Sequence, residues 1–448
     1  MRITLLTRPI HEHSWDSLAD VAKSPETAER FGCRSQPLAD SDAATPAMTN
    51  DSLLPFSLPS VERKKITAAF DGGRLSSDGG VTLLGLAERR TGIADRLATE
   101  IVDRRDPTRV VHTLSDILRA RILAIACGYE DADDLDYLRS DPALKLACGH
   151  LPDSGRDLCS QPTMSRCENA PSLREVIRLM RAMVGLYCAS YGRPPASVTL
   201  DIDDTLDVVH GHQQLSMFNA HYDERCFLPI HVYDTATSRP VAVLLRPGKT
   251  PSGQEIRGHL RRLIRTLRRH WPETHITIRG DSHYGRPEVM DFCDEQGIDF
   301  VFGLAGNDVL RRLVESDADD VRVCRAEIDA AVIRRCTETR YGAKSWRADR
   351  RVVARIEATT QGLDIRYVVT SFTHGSAEWL YESLYCARGQ AENLIKLHMW
   401  TGPPSQELFC SALIRSLACI CPAFWCARTG TLAKMVSAAR VPNTRAAS

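Results

Sequence analysis

Ala196-Ser-Val-Thr-Leu-Asp-Ile-Asp-Asp-Thr205 decides the fold. Apolar and polar residues alternate along it, so a strand is predicted with Leu200 and Ile202 on one face and Asp201 and Asp203 on the other. Asp203 is the best placed at the strand terminus. Asp201 sits two residues deeper and Asp204 points the other way, and either neighbour could take its place. Downstream, Phe227-Leu-Pro-Ile-His-Val-Tyr233 and Pro240-Val-Ala-Val-Leu-Leu245 read as two more strands, joined through Asp234-Thr-Ala-Thr-Ser-Arg239 as an antiparallel hairpin. A helix from Glu255 to His270, a strand His275-Ile-Thr-Ile-Arg279, a helix from Pro287 to Gln296 and a strand Phe300-Val-Phe-Gly-Leu304 complete the order βββαβαβ. Three antiparallel strands followed by α/β crossovers describe a ribonuclease H-like sheet.

Beyond Leu304 the patterns lapse for about sixty residues. Arg351-Val-Val-Ala-Arg-Ile-Glu357 and Ile365-Arg-Tyr-Val-Val-Thr370 form a hairpin inside that insertion, and helix resumes from Ala377 to about Lys396. Upstream, Ile66-Thr-Ala-Ala-Phe70 reads as a strand, Gly80 to Leu97 as a helix, and Leu114 to Ala126 and Leu173 to Leu186 repeat the helical spacing. Residues 1–55 are Ser-, Ala-, Asp-, Thr- and Pro-rich and are expected to be a poorly ordered tail. The fold class is therefore α/β, with an α-helical N-terminal region, the sheet and a β-rich insertion.

At 448 residues and 43% hydrophobic content the chain has room for two or three domains with a real core. Lys+Arg and Asp+Glu each total 57, so net charge excludes neither an acidic nor a basic partner, and only local clusters speak. The 15 cysteines include no C-x-x-C pair and read as reduced, structural thiols. No stretch reaches the ~18 apolar residues of a membrane span, so no membrane is expected and the protein is placed in the cytoplasm.

Two further acids stand beside Asp203. Asp281 follows Gly280 in Ile278-Arg-Gly-Asp-Ser-His-Tyr-Gly285, at the end of a strand. Glu392 lies on the last helix with Tyr385 and Arg388 at spacings of three and four, one helix face. Three carboxylates from distant segments suit hard divalent cations, Mg²⁺ with Mn²⁺ as a substitute, and in-line phosphoryl chemistry on nucleic acid. On the helix from Glu255, Arg257, Arg261 and Arg265 lie opposite an apolar stripe of Leu260, Leu263, Ile264, Leu267 and Trp271, and such a ridge suits backbone phosphates. Trp346 in Lys344-Ser-Trp-Arg347 is either a base-stacking ring or a core tryptophan. Thr163, Ser165 and Arg166 open a helix that either enters a groove or is an ordinary capped helix. His210, His212, His221, His231 and Cys226 match no zinc spacing.

Phe70-Asp-Gly-Gly-Arg-Leu-Ser-Ser-Asp-Gly-Gly80, Leu200-Asp-Ile-Asp-Asp-Thr205, Phe218-Asn-Ala-His-Tyr-Asp223, Leu245-Arg-Pro-Gly-Lys-Thr250, Arg279-Gly-Asp-Ser-His-Tyr-Gly285 and Tyr385-Cys-Ala-Arg-Gly-Gln-Ala-Glu-Asn-Leu-Ile-Lys396 form a set. On these words the chain, from about Met48 to Lys396, resembles bacterial insertion-sequence transposases of the DDE class, most closely insertion sequence family thirteen-eighty. The resemblance implies cut-and-paste chemistry on terminal inverted repeats and target DNA, by a homodimer. It selects Asp203, Asp281 and Glu392 as metal ligands and catalytic acids, and Tyr385 and Arg388 as phosphate binders. The phosphate-binding lysine of that pattern is replaced by Met399. The implied organisation is an upstream extension or disordered tail over 1–55, a mostly helical DNA-binding region over 56–195, the first part of the core over 196–304, the β-rich insertion over 305–375, the core helix over 376–396 and an atypical segment over 397–448. That last segment is expected to be read out of the ancestral frame, and residues 1–47 to precede a natural start at Met48. The alternatives are a catalytically inactive remnant that only binds DNA and a ribonuclease H-like nuclease.

Overall fold

The computed structural model describes residues 2–5, 60–64, 66–68, 75–129, 131–209 and 216–399. The turn at Asp71, His210, His212, most of the expected tail and the segment from 400 onward lie outside the described residues. The chain divides into two compact units, Met1–Gly85 with Tyr137–Asp157 and Leu86–Asp136 with Leu158–Ser448.

In the smaller unit Arg2–Leu5, inside the expected tail, is a strand pairing in parallel with Thr67–Ala68 and Leu75–Ser76. Asp141 caps the helix Pro142–Ala147 by accepting from the Leu144 amide at 2.8 Å, and also accepts from the Ser76 hydroxyl at 3.2 Å.

The larger unit is built on one eight-stranded sheet. Its strands are β1 (Ser197–Asp204), β2 (Ile230–Asp234), β3 (Arg239–Leu244), β4 (His275–Gly280), β5 (Asp299–Leu304), β6 (Val332–Tyr341), β7 (Arg350–Thr359) and β8 (Gly362–Thr370), in the order β6-β7-β8-β5-β4-β1-β2-β3. β1, β2 and β3 pair antiparallel, and β4 runs parallel to both β1 and β5. That is the ribonuclease H-like arrangement expected from the order of elements. Helices packed with this sheet include α1 (Leu173–Ala189), α2 (Gly253–His270) and α3 (Pro287–Glu295). Leu260, Leu263, Ile264, Leu267 and Trp271 of the α2 stripe are all buried in one cluster with Leu200, Ile202, Ile276, Ile278, Phe300 and Phe302 of the strands. The stripe forms because those residues recur every three or four positions, leaving the arginines outward.

Three differences from the sequence reading have local causes. The expected single helix from Gly80 to Leu97 is two, Val81–Thr91 and Ile93–Ala98, because Gly92 between them takes a left-handed φ of 61°. The expected strand Phe227 to Tyr233 is split at Leu228-Pro229: Glu224–Phe227 joins a separate three-stranded sheet with Asp207–Val208 and Met217–Asn219, and β2 starts at Ile230. Proline brings no N–H to a ladder. The insertion carries helices Asp308–Leu313 and α4 (Glu315–Glu327), then three strands where one hairpin was expected, and β8 pairs antiparallel with β5 to continue the core sheet. The missed strand, β6, is half-exposed throughout and reads Val-Ile-Arg-Arg-Cys-Thr-Glu-Thr-Arg-Tyr, with no apolar alternation to announce it.

α1 is fixed to the sheet by a buried carboxylate at the end of β2. Asp234 accepts from the Tyr187 hydroxyl at 3.0 Å, from Thr237 at 2.6 Å, and from the Tyr191 hydroxyl. Such a charge is tolerated in the interior only because hydroxyls replace its water. Tyr187→Phe is expected to lower stability by about 1.5–3 kcal/mol, the worth of a hydrogen bond to a charged group, read from the urea midpoint at unchanged slope. An unchanged midpoint would show that Tyr187 does not anchor α1.

Candidate active site

Strand pairing makes Asp203 and Asp281 neighbours. β1 and β4 run parallel with Leu200 opposite Ile278, Asp201 opposite Arg279 and Ile202 opposite Gly280, where the pairing ends, so Asp203 and Asp281 follow it at the same sheet end, close enough for Asp281 to act on Asp203. Matched positions on adjacent strands share a face.

Two residues deeper on that face, Asp201 is engaged by Arg279. Nε donates to Oδ1 at 2.7 Å and Nη2 to Oδ2 at 2.7 Å, with side-chain exposures of 6% and 0%. Both carboxylate oxygens are used, so Asp201 is set aside as a substitute for Asp203. Asp204, expected on the opposite face by alternation, belongs to the same neighbourhood. Residues after β4 wrap around the strand end: the Tyr284 hydroxyl donates to Asp204 at 3.3 Å, and His283 Nδ1 lies 3.7 Å from Asp204 and 3.7 Å from Asp281. Asp281 accepts from the His283 amide at 2.9 Å, which closes the turn.

A bare backbone position lets this loop sit down. A Cβ on Gly303 of β5 would come within 2.8 Å of the Ser282 nitrogen and 2.8 Å of the Tyr385 hydroxyl. The acid loop and Tyr385 therefore press on the same spot of β5.

The third acid arrives on a helical segment that changes pitch. A π-helix, Trp379–Tyr385, gives way to a 3₁₀ turn, Cys386–Arg388, and then to α5 (Gly389–Met399). π-type turns recur at functional sites. Arg388 Nη1 donates to Glu392 Oε1 at 2.9 Å, and its Nη2 is 3.7 Å from Asp203 Oδ2. Arg388 thus spans the first and third acids.

Burial is the largest influence on Asp203. It pushes the carboxyl up to about 7, opposed by Arg388 and reinforced by Asp281, Asp204 and Glu392. Burial also works against the charge on Arg388, but Asp203, Tyr385, Asp281 and Glu392 around it outweigh that and raise its pKa. Among the described residues no three acidic, His or Cys side chains already close into a metal-binding group. The donors are nonetheless all oxygen, and negative charge crowded at a poorly hydrated point calls for a cation. Arg388, in contact with both Asp203 and Glu392, supplies positive charge at that point in this arrangement.

Other candidate residues are placed variously. Arg257 is 3.4 Å from Glu295, while Arg261 and Arg265 are exposed on the outer face of α2. Trp346 is half-buried, packs against the core cluster and meets Tyr341 edge-on at 5.3 Å. Thr163 and Arg166, on the helix Gln161–Asn169, line a cavity of about 870 Å³ with Arg105 and Arg109.

Two features escaped the sequence reading. Arg279 has a visible signal in retrospect: a cation inside an otherwise apolar strand needs a buried partner. The hairpin carrying Phe218-Asn-Ala-His-Tyr-Asp223 is fixed by Asn219, whose side chain donates to the Gly248 carbonyl at 2.7 Å. Burial raises the Tyr222 hydroxyl on that hairpin, with Asp204, Cys226, Asp281 and Asp203 adding to it.

Residues 58–401 match the family described as transposase DDE domain group 1. The chain belongs to that family. As a DDE transposase it acts on DNA and uses divalent cations. No curated protein matches it. Among solved structures the transposase is similar to the piggyBac transposase synaptic complex with hairpin DNA, at 13% identity over 80% of this chain and 76% of that one, with a TM-score of 0.44. It is also similar to the Mos1 mariner paired end complex with Mn, at 14% identity over 50% and 77%, with a TM-score of 0.18. No helix among the described residues is long and apolar enough to cross a membrane.

The raised carboxyl has a stability consequence for the metal-free transposase. Between the ordinary value of 3.8 and about 7 the folded chain keeps the Asp203 proton that the unfolded chain gives up, so stability falls as pH rises through that window. Asp203→Asn removes this slope. The variant is expected to gain little over the parent near pH 4 and up to about 4 kcal/mol above pH 7, read from denaturant midpoints in EDTA. A gain independent of pH would contradict the burial of Asp203.

Proposed function

We propose that this transposase cleaves and joins the terminal inverted repeats of an insertion sequence of family thirteen-eighty, with Asp203, Asp281 and Glu392 as its metal ligands. The observation that supports the reading is that β1 and β4, paired up to Ile202 and Gly280, end just before Asp203 and Asp281, with Arg388 reaching from Asp203 to Glu392. Two Mg²⁺ ions, or Mn²⁺ in their place, would supply Lewis acidity for in-line displacement at phosphorus.

The chain's own groups do the rest. Arg388, once drawn from Glu392 by an incoming phosphate, holds an oxygen of that phosphate, and Tyr385 donates its hydroxyl beside it. Arg257, Arg261 and Arg265 track the DNA backbone along the outer face of α2 without reading sequence. Phe218 and Tyr222, 60% and 39% exposed on the fixed hairpin near the acids, offer ring surface to the strand being cut. The helical region within 56–195 contributes further DNA contacts, two copies act together on paired ends, and the protein works in the cytoplasm. The division into a tail over 1–55, core parts over 196–304 and 376–396, an insertion over 305–375 and an atypical segment over 397–448 belongs to the same reading.

A second reading rests on Met399, which stands where the resembling family carries a phosphate-binding lysine. In it the chain holds the repeat ends without cutting them. Incubating the protein with a labelled terminal repeat and Mg²⁺ separates the two. Cleavage confined to the repeat end is expected, lost by more than about 100-fold in Asp203→Asn, Asp281→Asn and Glu392→Gln, beyond the 10–100-fold of an outer partner, with retarded DNA bands kept. Retention without cleavage by the unaltered chain would favour the remnant.

A further inference from the structure

Arg279 touches more than Asp201. Its Nη2 also donates to the Thr235 hydroxyl at 2.9 Å, and its Nη1 donates to the backbone carbonyl of Leu384 at 2.6 Å. Leu384 lies in the π-helical segment just before Tyr385, Arg388 and Glu392, and Arg279 lies two residues before Asp281. One buried guanidinium therefore joins β1, the loop after β2, β4 and the segment carrying the third acid. Among the hydrogen bonds of the described residues, this side-chain contact links the two-strand acid pair to that segment across more than a hundred positions of sequence, 279 to 384.

We propose that Arg279 is a positioning residue for the DDE acids: it sets the spacing between Asp281 and the Glu392 helix, and by occupying Asp201 it keeps a third aspartate of the strand from competing for the cations. The inference rests on the acid-site reading given above. The chemistry of the side chain suits the task. Guanidinium is planar, stays charged at all working pH values and presents separate donors in a fixed fork, so it can grip a carboxylate with one edge and a carbonyl with the other. Lysine carries the charge on one compact head and cannot satisfy both directions at once. The register explains why the residue sits here, since Arg279 is matched with Asp201 on the same face that carries Asp203 and Asp281 one step nearer the sheet end.

The test uses the full chain with Arg279→Lys and Asp201→Asn, both of which keep a polar group in the pocket, alongside Asp281→Asn. Amide hydrogen exchange of the 379–399 segment, the Mn²⁺ concentration giving half-maximal cleavage of a labelled terminal repeat, and retention of that repeat are measured on each. Arg279→Lys is expected to speed exchange in 379–399 by about tenfold or more while the amides of β1 and β4 keep their protection, and to raise the half-maximal Mn²⁺ by a similar factor with repeat retention unchanged. Asp201→Asn, which leaves the Leu384 contact available, is expected to shift the Mn²⁺ requirement while changing exchange in 379–399 less than Arg279→Lys does. Unaltered exchange in 379–399 in Arg279→Lys, or loss of protection spread evenly over the sheet, overturns the proposal. If Asp281→Asn still cleaves, the acid-site reading fails instead, and the exchange result continues to judge the role of Arg279 by itself.

Discussion

Like charge held where water is scarce is the constraint on which this molecule turns. Asp204, Asp281 and Glu392 all act on Asp203 around the end of β1, and Asp203 is buried enough that its proton is retained to about pH 7. Such an assembly is unfavourable by itself, since each ionised carboxylate raises the cost of the next. The fold offsets it with Arg388 between Asp203 and Glu392 and with hydroxyl and imidazole groups around Asp204 and Asp281. Acids gathered at one buried sheet end with a cation set between two of them are the kind of perturbed cluster found at functional sites.

The surrounding architecture exists to hold that end still. Parallel pairing fixes the first two acids by register, glycine at 303 lets the loop after β4 and Tyr385 share a small area of β5, and the insertion strands extend the same sheet from β5 outward. Because the insertion hydrogen-bonds into the sheet and then returns directly to the π-helical segment, the third acid is delivered from a rigid base. Two residues deeper on the sheet, Asp201 is neutralised by Arg279.

Much of this was legible in the order of residues. Alternation through Leu200, Asp201, Ile202 and Asp203 gave both the strand and the faces of its side chains, and the α2 stripe from Leu260 to Trp271 buries as its spacing requires. Glycine before Asp281 marked the strand exit. What stayed hidden depended on three-dimensional partners. β6 carries arginine on both faces, threonine on one and glutamate on the other, and has no apolar period to detect. Asp204 is directed away from Asp203 by alternation, yet the Asp281 loop folds around the strand end to meet it, and no local pattern encodes that wrap. The role of Arg388 as a bridge could not be seen from spacing alone, because a helix face predicts its nearness to Glu392 but not its reach to Asp203.

The central claim is that the ends of β1 and β4 and the start of α5 share one pair of divalent ions. Fe²⁺ with ascorbate and peroxide cuts a polypeptide close to where the iron is bound, so the cut positions report the ligand segments directly. The account predicts backbone cuts near residues 203, 281 and 392, all suppressed together by excess Mg²⁺ and by Asp203→Asn. Cuts near only one of the three, or in segments far from all of them, would contradict it.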